Sequence, residues 1–351
     1  METISIVGGG IAGLALAAGL DQSRFSVTVY EKRPELPAVG TALGMWPNAQ
    51  RALARLGILD AARAASPVIG SGSVRNAAGR PWVTVDAGGM FAISRKDLLR
   101  LLDAAVPASV RRVTTQIRHL PADAGLVAGA DGVHSVVRGE VWGSAAAARL
   151  TPYLAVRGTV PFRPDPDDVG EYWGRGDLFG IAAAPAGGFW YASYRSEIGP
   201  YGIDPVPVLG QARERYAGHA PAIRRVLAAA TPEDILVQRL WTTPRLGTFV
   251  RGNVVLLGDA AHAMFPTLGR GACESLVDAV TLADLLNTRP REEALQAYDR
   301  QRRLRTRALS VASAALLRVA LADNAQPLRD RLLNLARRRN GRAAVGSGTA
   351  A

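Results

Sequence analysis

The stretch "TISIVGGGIAGLALAAGLDQSRFSVTVYEKR", residues 3–33, decides the fold. It opens on a β-branched apolar run, breaks at glycines and turns helical from Ile11; "FSVTVYEKR" (25–33) reads as the next strand. Strand, glycine turn, helix and strand make a βαβ unit. Gly8, Gly10 and Gly13 form G-x-G-x-x-G at its first turn. The first glycine permits the tight turn, the second lets backbone approach a pyrophosphate, and the third lets the helix pack closely on the strand. Phosphates placed there meet free N–H groups and the positive end of a helix. Glu31 closes the second strand about twenty residues on, where an acid binds a ribose hydroxyl pair and disfavours a 2′-phosphate. A glycine pattern alone is a weak signal. With strand, helix and acid all in place it marks a dinucleotide site, for FAD or NAD.

The bulk composition is consistent with a globular enzyme-sized chain. Its 351 residues suffice for one large or two medium domains, and 48% are hydrophobic against 21% charged. The net charge of +12 comes from 42 Lys+Arg against 30 Asp+Glu, and Lys32 and Lys96 are the only lysines. No dense basic block interleaved with aromatics occurs, so solvated basic faces are expected rather than a nucleic-acid partner. A positive field also attracts phosphate-bearing cofactors. The single cysteine, Cys273, excludes an intrachain disulfide and a multi-cysteine zinc or iron–sulfur site, leaving the cytoplasm as the default location. "METISIVGGG" (1–10) lacks a basic n-region, so no signal peptide is expected. "ALSVASAALLRVALA" (308–322) is too short for a membrane span and carries Arg318, which predicts a packed helix.

Along the chain, "NAQRALARLGILDAA" (48–62) has helical apolar spacing, and "SRKDLLRLLDAAV" (94–106) predicts a helix capped by Ser94. The Pro-rich middle, 151–210, alternates apolar and polar residues in short runs such as "YLAVRGTV" and "GFWYASY", which predicts an antiparallel sheet. "NVVLLG" (253–258) predicts a strand, and "REEALQAYDRQRRLRTRALS" (291–310) opens a helical C-terminal region.

"GDAAHAMFPTLGRGACESLVDA" (258–279) concentrates Asp259, His262, Arg270 and Cys273 among three glycines. A metal site needs three or four ligands. Asp259 and His262 supply two in a chain with four histidines, so no metal is expected. A cysteine nucleophile would need a placed base, and no cysteine-hydrolase signature surrounds Cys273. The glycines, by contrast, suit close backbone approach to a bound group.

Three motifs in order, "GGGIAG", "GADGVHSVVR" (129–138) and "GDAAHAMFPTLGRGACESLVDA", together with "EKR" (31–33) and "ISRKDLLRLL" (93–102), resemble the FAD-dependent single-component aromatic hydroxylases of the para-hydroxybenzoate and salicylate hydroxylase type. "EYWGRGDLFGIAAAPAGGFWYA" (171–192) is similar to the salicylate hydroxylase branch. The resemblance covers roughly residues 1–335. It implies an α/β fold in which a Rossmann-like FAD-binding βαβ unit precedes an antiparallel-sheet substrate domain and C-terminal helices. The implied domains are 1–150 with 245–300 for FAD, 151–244 for substrate, 301–340 as a helical region and 341–351 as a disordered tail. By the same resemblance, Gly8, Gly10, Ala12 and Gly13 seat the FAD pyrophosphate. Glu31 holds the adenosine ribose, with Lys32 and Arg33 beside it. Arg95 reaches the ribityl and phosphate region, Asp131 supports the pyrophosphate, and Asp259 bonds the ribitol. Pro266 lies beside the isoalloxazine, and backbone from Leu268 and Gly269 to Gly271 and Ala272 faces its N1/O2 edge. A helix starting near Gly271 would turn its positive end towards charge on the reduced ring.

The resemblance implies a monooxygenase that uses NADPH or NADH and oxygen to hydroxylate an aromatic or polycyclic small molecule through a flavin C4a-hydroperoxide. The flavin carries this chemistry, so no catalytic side chain is required, and Arg270 is the one candidate. Substrate-lining candidates are Met45, Trp46, Trp173, Phe179, Trp190 and Tyr191. Epoxidation, Baeyer–Villiger oxidation or oxidase chemistry on the same scaffold are alternatives. A non-catalytic flavin-binding regulator is another. No halogenase Trp-x-Trp-x-Ile-Pro signature occurs. A monomer or homodimer with no membrane span is expected. Arg270 stands where the family usually has Gln, and Val277 where an acid commonly precedes "DA".

Overall fold

The computed structural model describes residues 1–33, 42–66, 71–86, 88–121, 125–184 and 187–346. In chain order it begins with β1 (Glu2–Val7), α1 (Ile11–Gly19), β2 (Phe25–Glu31), β3 (Ala42–Met45), α2 (Pro47–Arg55) and α3 (Leu59–Ala64). Next come β4 (Ser71–Asn76), β5 (Pro81–Asp86), β6 (Phe91–Ser94), α4 (Arg95–Ala105), β7 (Arg111–Thr114), β8 (Leu126–Gly129) and α5 (Val136–Trp142). The middle holds β9 (Arg149–Val160), β10 (Gly170–Trp173), β11 (Asp177–Ala184), β12 (Gly187–Arg195), α6 (Pro205–Arg215), α7 (Pro221–Ala229) and β13 (Ile235–Thr242). The chain closes with β14 (Val250–Arg251), β15 (Val254–Leu256), α8 (Asp259–His262), α9 (Gly271–Thr288), α10 (Arg291–Ala320) and α11 (Gln326–Gly346). No described helix is long and apolar enough to cross a membrane.

Two compact units result. The first comprises Met1–Val68, Met90–Thr151 and Trp241–Ala315; the second comprises Ile69–Gly89, Pro152–Leu240 and Leu316–Ala351. The first unit is built on a six-stranded sheet of order β14-β15-β8-β1-β2-β7. Its strands run parallel apart from the β14–β15 pair. Ile4 and Ile6 of β1, Leu126 of β8 and Leu256 of β15 are buried with Leu14 and Leu16 of α1 and Leu276 of α9. Parallel strands covered on both faces read as continuous apolar runs, which is why "TISIVG" and "NVVLLG" stand out in the sequence.

Ser94 caps α4 as its position predicts, accepting the Asp97 N–H at 3.0 Å and donating its hydroxyl to the Asp97 carboxylate at 2.6 Å. The helix expected over 48–62 is instead two, α2 and α3. Gly57 adopts φ 71° between them, a left-handed conformation that a continuing helix cannot contain.

The second unit is built on a seven-stranded sheet of order β13-β9-β12-β11-β10-β4-β5. Its β10–β4 pair is parallel, while β9–β12, β12–β11, β11–β10 and β4–β5 are antiparallel. One face carries Leu154, Val156, Phe179, Ile181 and Trp190 against Val208 of α6 and Ile223 and Val226 of α7. The span 1–150 expected for a single domain is therefore interrupted, because β4 and β5 join this sheet through Glu171↔Val74 and Tyr172↔Arg75. Arg329 of α11 lies buried, its guanidinium 5.7 Å from the Trp82 ring and 5.9 Å from the Trp173 ring, and donates to the carbonyls of Ala320 and Gly174. Helix α11 runs to Gly346, into the stretch expected as a tail from 341; residues 347–351 lie outside the described residues.

Candidate functional site

Three motif turns leave the first sheet from one edge. The registers Val7↔Gly129 and Gly129↔Leu256 align the C-terminal ends of β1, β8 and β15. Ligands of open parallel sheets bind at that edge.

At the end of β1, Gly8 has φ 108°, and a methyl group there would stand 2.4 Å from the Ala130 carbonyl oxygen. The first and second motif loops are thus in backbone contact. A methyl at Gly13 would come 1.9 Å from the Gly8 oxygen, so α1 can close onto its own turn only with glycine there. A methyl at Gly10 meets nothing within 4 Å. Helix α1 has no side-chain N-cap bond, so its first N–H groups face that open side. Glu31 is already oriented: its Oε2 accepts the Gly9 N–H at 2.7 Å and its Oε1 the Arg33 N–H at 2.9 Å. Lys32, Arg33 and Arg95 are exposed, Arg95 opening α4.

Asp131 caps α5. Its Oδ2 accepts the Val136 N–H at 2.7 Å and the Val137 N–H at 3.2 Å, while its buried Oδ1 has no partner among the described residues. Burial raises this carboxyl above the usual range against those hydrogen bonds. Arg138, which ends "GADGVHSVVR" and has no role evident from the sequence, is almost wholly buried. It donates to the carbonyls of Ala146 and Ala260 at 2.7 Å each and to that of Val133. It therefore ties the second motif loop to the third. Its place seven residues after Asp131 was visible in sequence; the carbonyls it would meet, one of them 122 positions away, were not.

In the third motif, Gly258 turns at φ 56° and a methyl there would lie 3.3 Å from the Ala12 Cβ. Asp259 follows with an exposed side chain. Pro266 to Leu268 form a 3-10 turn, Gly269 is left-handed at φ 61°, and α9 starts at Gly271 without a side-chain cap bond. Arg270 points inward: its Nη2 lies 3.1 Å from the buried Glu274 Oε1, and its guanidinium lies 5.3 Å from the Trp46 ring centre. Trp46 Nε1, Asn48 Oδ1, Thr267 Oγ1 and Arg270 Nε are buried without hydrogen-bond partners among the described residues. Orphaned polar atoms are rare in folded proteins. Here they gather where α2 and α9 begin, as expected of a seat for a polar group.

Behind this seat is a buried charge network. Arg302 lies 2.6 Å from Asp278 Oδ1 and 2.5 Å from Glu274 Oε2. Asp278 Oδ2 accepts the Gly258 N–H at 2.9 Å and lies 2.6 Å from His262 Nε2. Burial works against charge on Asp278, but His262 and Arg302 hold its carboxyl below the usual range. Burial likewise opposes the His262 imidazolium, and Asp278 prevails to raise it. His262 is thus a structural partner of α9. Cys273 is buried against the Gly44 carbonyl, with burial pushing its thiol up to about 11, so it is no nucleophile. Among the described residues no group of three or more His, Cys, Asp or Glu is placed to hold a metal.

The aromatic candidates divide. Met45 is fully buried in the core of the first unit, while Trp46 reaches Arg270. Phe179 and Trp190 stack at 5.3 Å inside the core of the second unit, so a substrate-lining role for them and for Met45 is corrected. Tyr191 and Trp173 lie on the opposite face of that sheet.

Comparison with known proteins agrees with this geometry. Residues 102–313 match the FAD binding domain family, and residues 6–38 match an NAD(P)-binding Rossmann-like domain. The 3-amino-4-hydroxybenzoate 2-monooxygenase of Streptomyces cremeus is 32% identical over 340 residues, covering 86% of this chain and 84% of that protein. The 2-heptyl-3-hydroxy-4(1H)-quinolone synthase of Pseudomonas aeruginosa is 32% identical over 331 residues, covering 86% and 85%. The structure of Klebsiella pneumoniae HpxO complexed with FAD and uric acid superposes with a TM-score of 0.84 at 25% identity, covering 99% of this chain and 95% of that one. Fold and site together define a flavin-dependent oxidoreductase. The chain belongs to the FAD binding domain family, and it is an FAD-dependent aromatic monooxygenase.

Proposed function

We propose that this monooxygenase hydroxylates an aromatic or polycyclic compound that itself carries a hydroxyl or similar acidic group. The observation that carries the flavin-dependent reading is the registered exit of three motif turns from one sheet edge, with unpartnered buried polar atoms around them, and the substrate class is drawn from the relatives. FAD, reduced by NADH or NADPH, supplies the oxygen-activating chemistry when bound.

In this reading the residues of the first unit bind and orient. The Gly8–Gly13 turn and the N-terminus of α1 take the pyrophosphate, supported by Asp131. Glu31 takes the adenosine ribose, with Lys32 and Arg33 beside it. Arg95 reaches the ribityl and phosphate region, and Asp259 bonds the ribitol. Pro266 would flank the ring, and backbone N–H groups of Leu268, Gly271 and Ala272 at the uncapped start of α9 would stabilise negative charge at its N1/O2 edge, while the Gly269 N–H is held by the Pro266 carbonyl at 2.7 Å. The enzyme works as a monomer or homodimer in the cytoplasm.

The relatives' names fit this substrate class: one acts on 3-amino-4-hydroxybenzoate and another makes a 3-hydroxyquinolone. The purified protein is expected to show a flavin absorbance spectrum, or to acquire one with added FAD. A panel of phenols and hydroxylated heteroaromatics should then stimulate NAD(P)H oxidation and gain one oxygen by mass. Protein that cannot be reconstituted with FAD ends the reading. A mass gain at an alkene or next to a ketone assigns epoxidation or Baeyer–Villiger oxidation instead.

A further inference from the structure

Helix α10 carries basic residues that the flavin site does not use. Arg303, Arg307 and Ser310 stand at i, i+4 and i+7, on one face of the helix. This face lines a recess together with Arg245 and with His262 of α8, and Phe249 adds an apolar wall. The space open to water-sized occupants is about 30 Å³, room for a small polar group and not for an aromatic ring. Every lining residue falls within Trp241–Ala315, so the recess belongs to the first unit alone.

The charge in this recess is one-sided. Three arginines and a histidine line it, and no carboxylate does. Arg303 is neutralised by Asp299, with Nε 3.1 Å from Oδ2. Arg245 and Arg307 are exposed and have no ion-pair partner among the described residues. His262, by contrast, has a side chain only 5% exposed. Its Nε2 is taken by Asp278 Oδ2 at 2.6 Å, while its buried Nδ1 has no hydrogen-bond partner among the described residues. The nitrogen left over after that bond faces away from Asp278. In the imidazolium form, which Asp278 favours against burial, Nδ1 carries a proton with nothing to accept it. Such orphaned buried donors are rare.

Short bonds join the recess to the third motif turn. Thr243, which lines it, donates its N–H to the Ala263 carbonyl at 3.1 Å and its hydroxyl to the Asp259 carbonyl at 3.0 Å. Beyond His262, Asp278 accepts the Gly258 N–H at 2.9 Å.

We propose that this recess is a binding site for a small oxyanion of the phosphate class, held by Arg245, Arg307 and the Nδ1–H of His262. The arginines supply planar N–H forks that match oxyanion geometry, and the imidazolium supplies a buried donor. Bound there, the oxyanion braces α8 from the side opposite Asp278. The recess shares no residue with those proposed for FAD. The same chemistry has two sources, free phosphate and a phosphate monoester such as the 2′-phosphate of NADPH.

The test titrates sodium phosphate into the FAD-loaded protein by calorimetry, at ionic strength matched with sodium chloride. Wild type is expected to bind one equivalent and to unfold at a higher urea midpoint in phosphate than in chloride. Arg245→Gln and Arg307→Gln should each weaken binding about tenfold or more. Both side chains are exposed, so fold and flavin spectrum should be unchanged. The imidazole nitrogen resonances of His262, assigned by their loss in His262→Gln, should shift when phosphate is added to wild type. NADP⁺ that displaces phosphate where NAD⁺ does not assigns the site to the ester; displacement by neither assigns it to free phosphate. Equal midpoints in phosphate and chloride, binding that survives both arginine variants, or binding that leaves the His262 signals unmoved overturns the proposal and leaves the monooxygenase reading untouched.

Discussion

Arg302 Nε lies 2.6 Å from Asp278 Oδ1, and neither side chain is more than 4% exposed. This pair joins α10 to α9 behind the turn that carries Gly258 and Asp259. Removing the Asp278 charge leaves Arg302 with Glu274 alone and leaves the buried His262 without its carboxylate. Asp278→Asn should therefore destabilise the protein by about 3–5 kcal/mol, read as a lower urea midpoint at unchanged slope. A loss below about 1 kcal/mol would mean that water reaches the Arg302 guanidinium.

The same network has a pH signature. The folded-state pKa of His262 is raised, so its contribution to stability is complete below the unfolded value near about 6.5 and is lost as pH rises through the folded value. Asp278 is lowered, so its contribution is present above the unfolded carboxyl value near about 3.9 and is lost as pH falls through the folded value. Stability from the pair peaks between these limits. His262→Gln should flatten the decline on the alkaline side of the urea-midpoint profile. Parallel wild-type and variant profiles over that limb would remove His262 from the account.

Gly13→Ala places a methyl 1.9 Å from the Gly8 carbonyl oxygen, which forces α1 away from its turn. The expected result is purification without flavin and failure to take up added FAD, followed by flavin fluorescence quenching. Glu31→Gln keeps the volume but loses charge; weaker FAD binding with little change in melting temperature is expected. Full FAD retention in Gly13→Ala would show that the turn can relax.

Arg270 is clamped rather than solvent-facing, through Glu274 and the Trp46 ring. Arg270→Gln removes a charged hydrogen bond and a cation–π contact, worth about 1–3 kcal/mol together. Because Glu274 keeps Arg302 and Asn48, the fold should survive. With the start of α9 facing the ring, as proposed, loss of this cation should shift the flavin reduction potential to a more negative value. An unchanged potential would make Arg270 a packing residue only.

Local chemistry was readable from the chain itself. The glycine turn with Glu31, the Ser94 cap and the strand at 253–258 each depend on neighbours within about one βαβ unit, where spacing along the chain sets geometry. The three motifs could be placed in order by the same logic, although their meeting at one edge required the parallel registers of β1, β8 and β15. Side-chain direction in the second sheet was not readable. Trp190 and Tyr191 are adjacent and chemically alike, yet strand alternation sends the first to lie over Gly158 in the core and the second over Gly180 to Glu171. A shift of one residue in register would exchange their roles. Composition and spacing thus determined the cofactor class and the turns that receive it. Only the tertiary structure decided which aromatic rings are core, which carbonyls Arg138 joins and that Arg302 meets both Asp278 and Glu274, because these contacts span tens to hundreds of residues and exist only once the strands are paired and the helices packed.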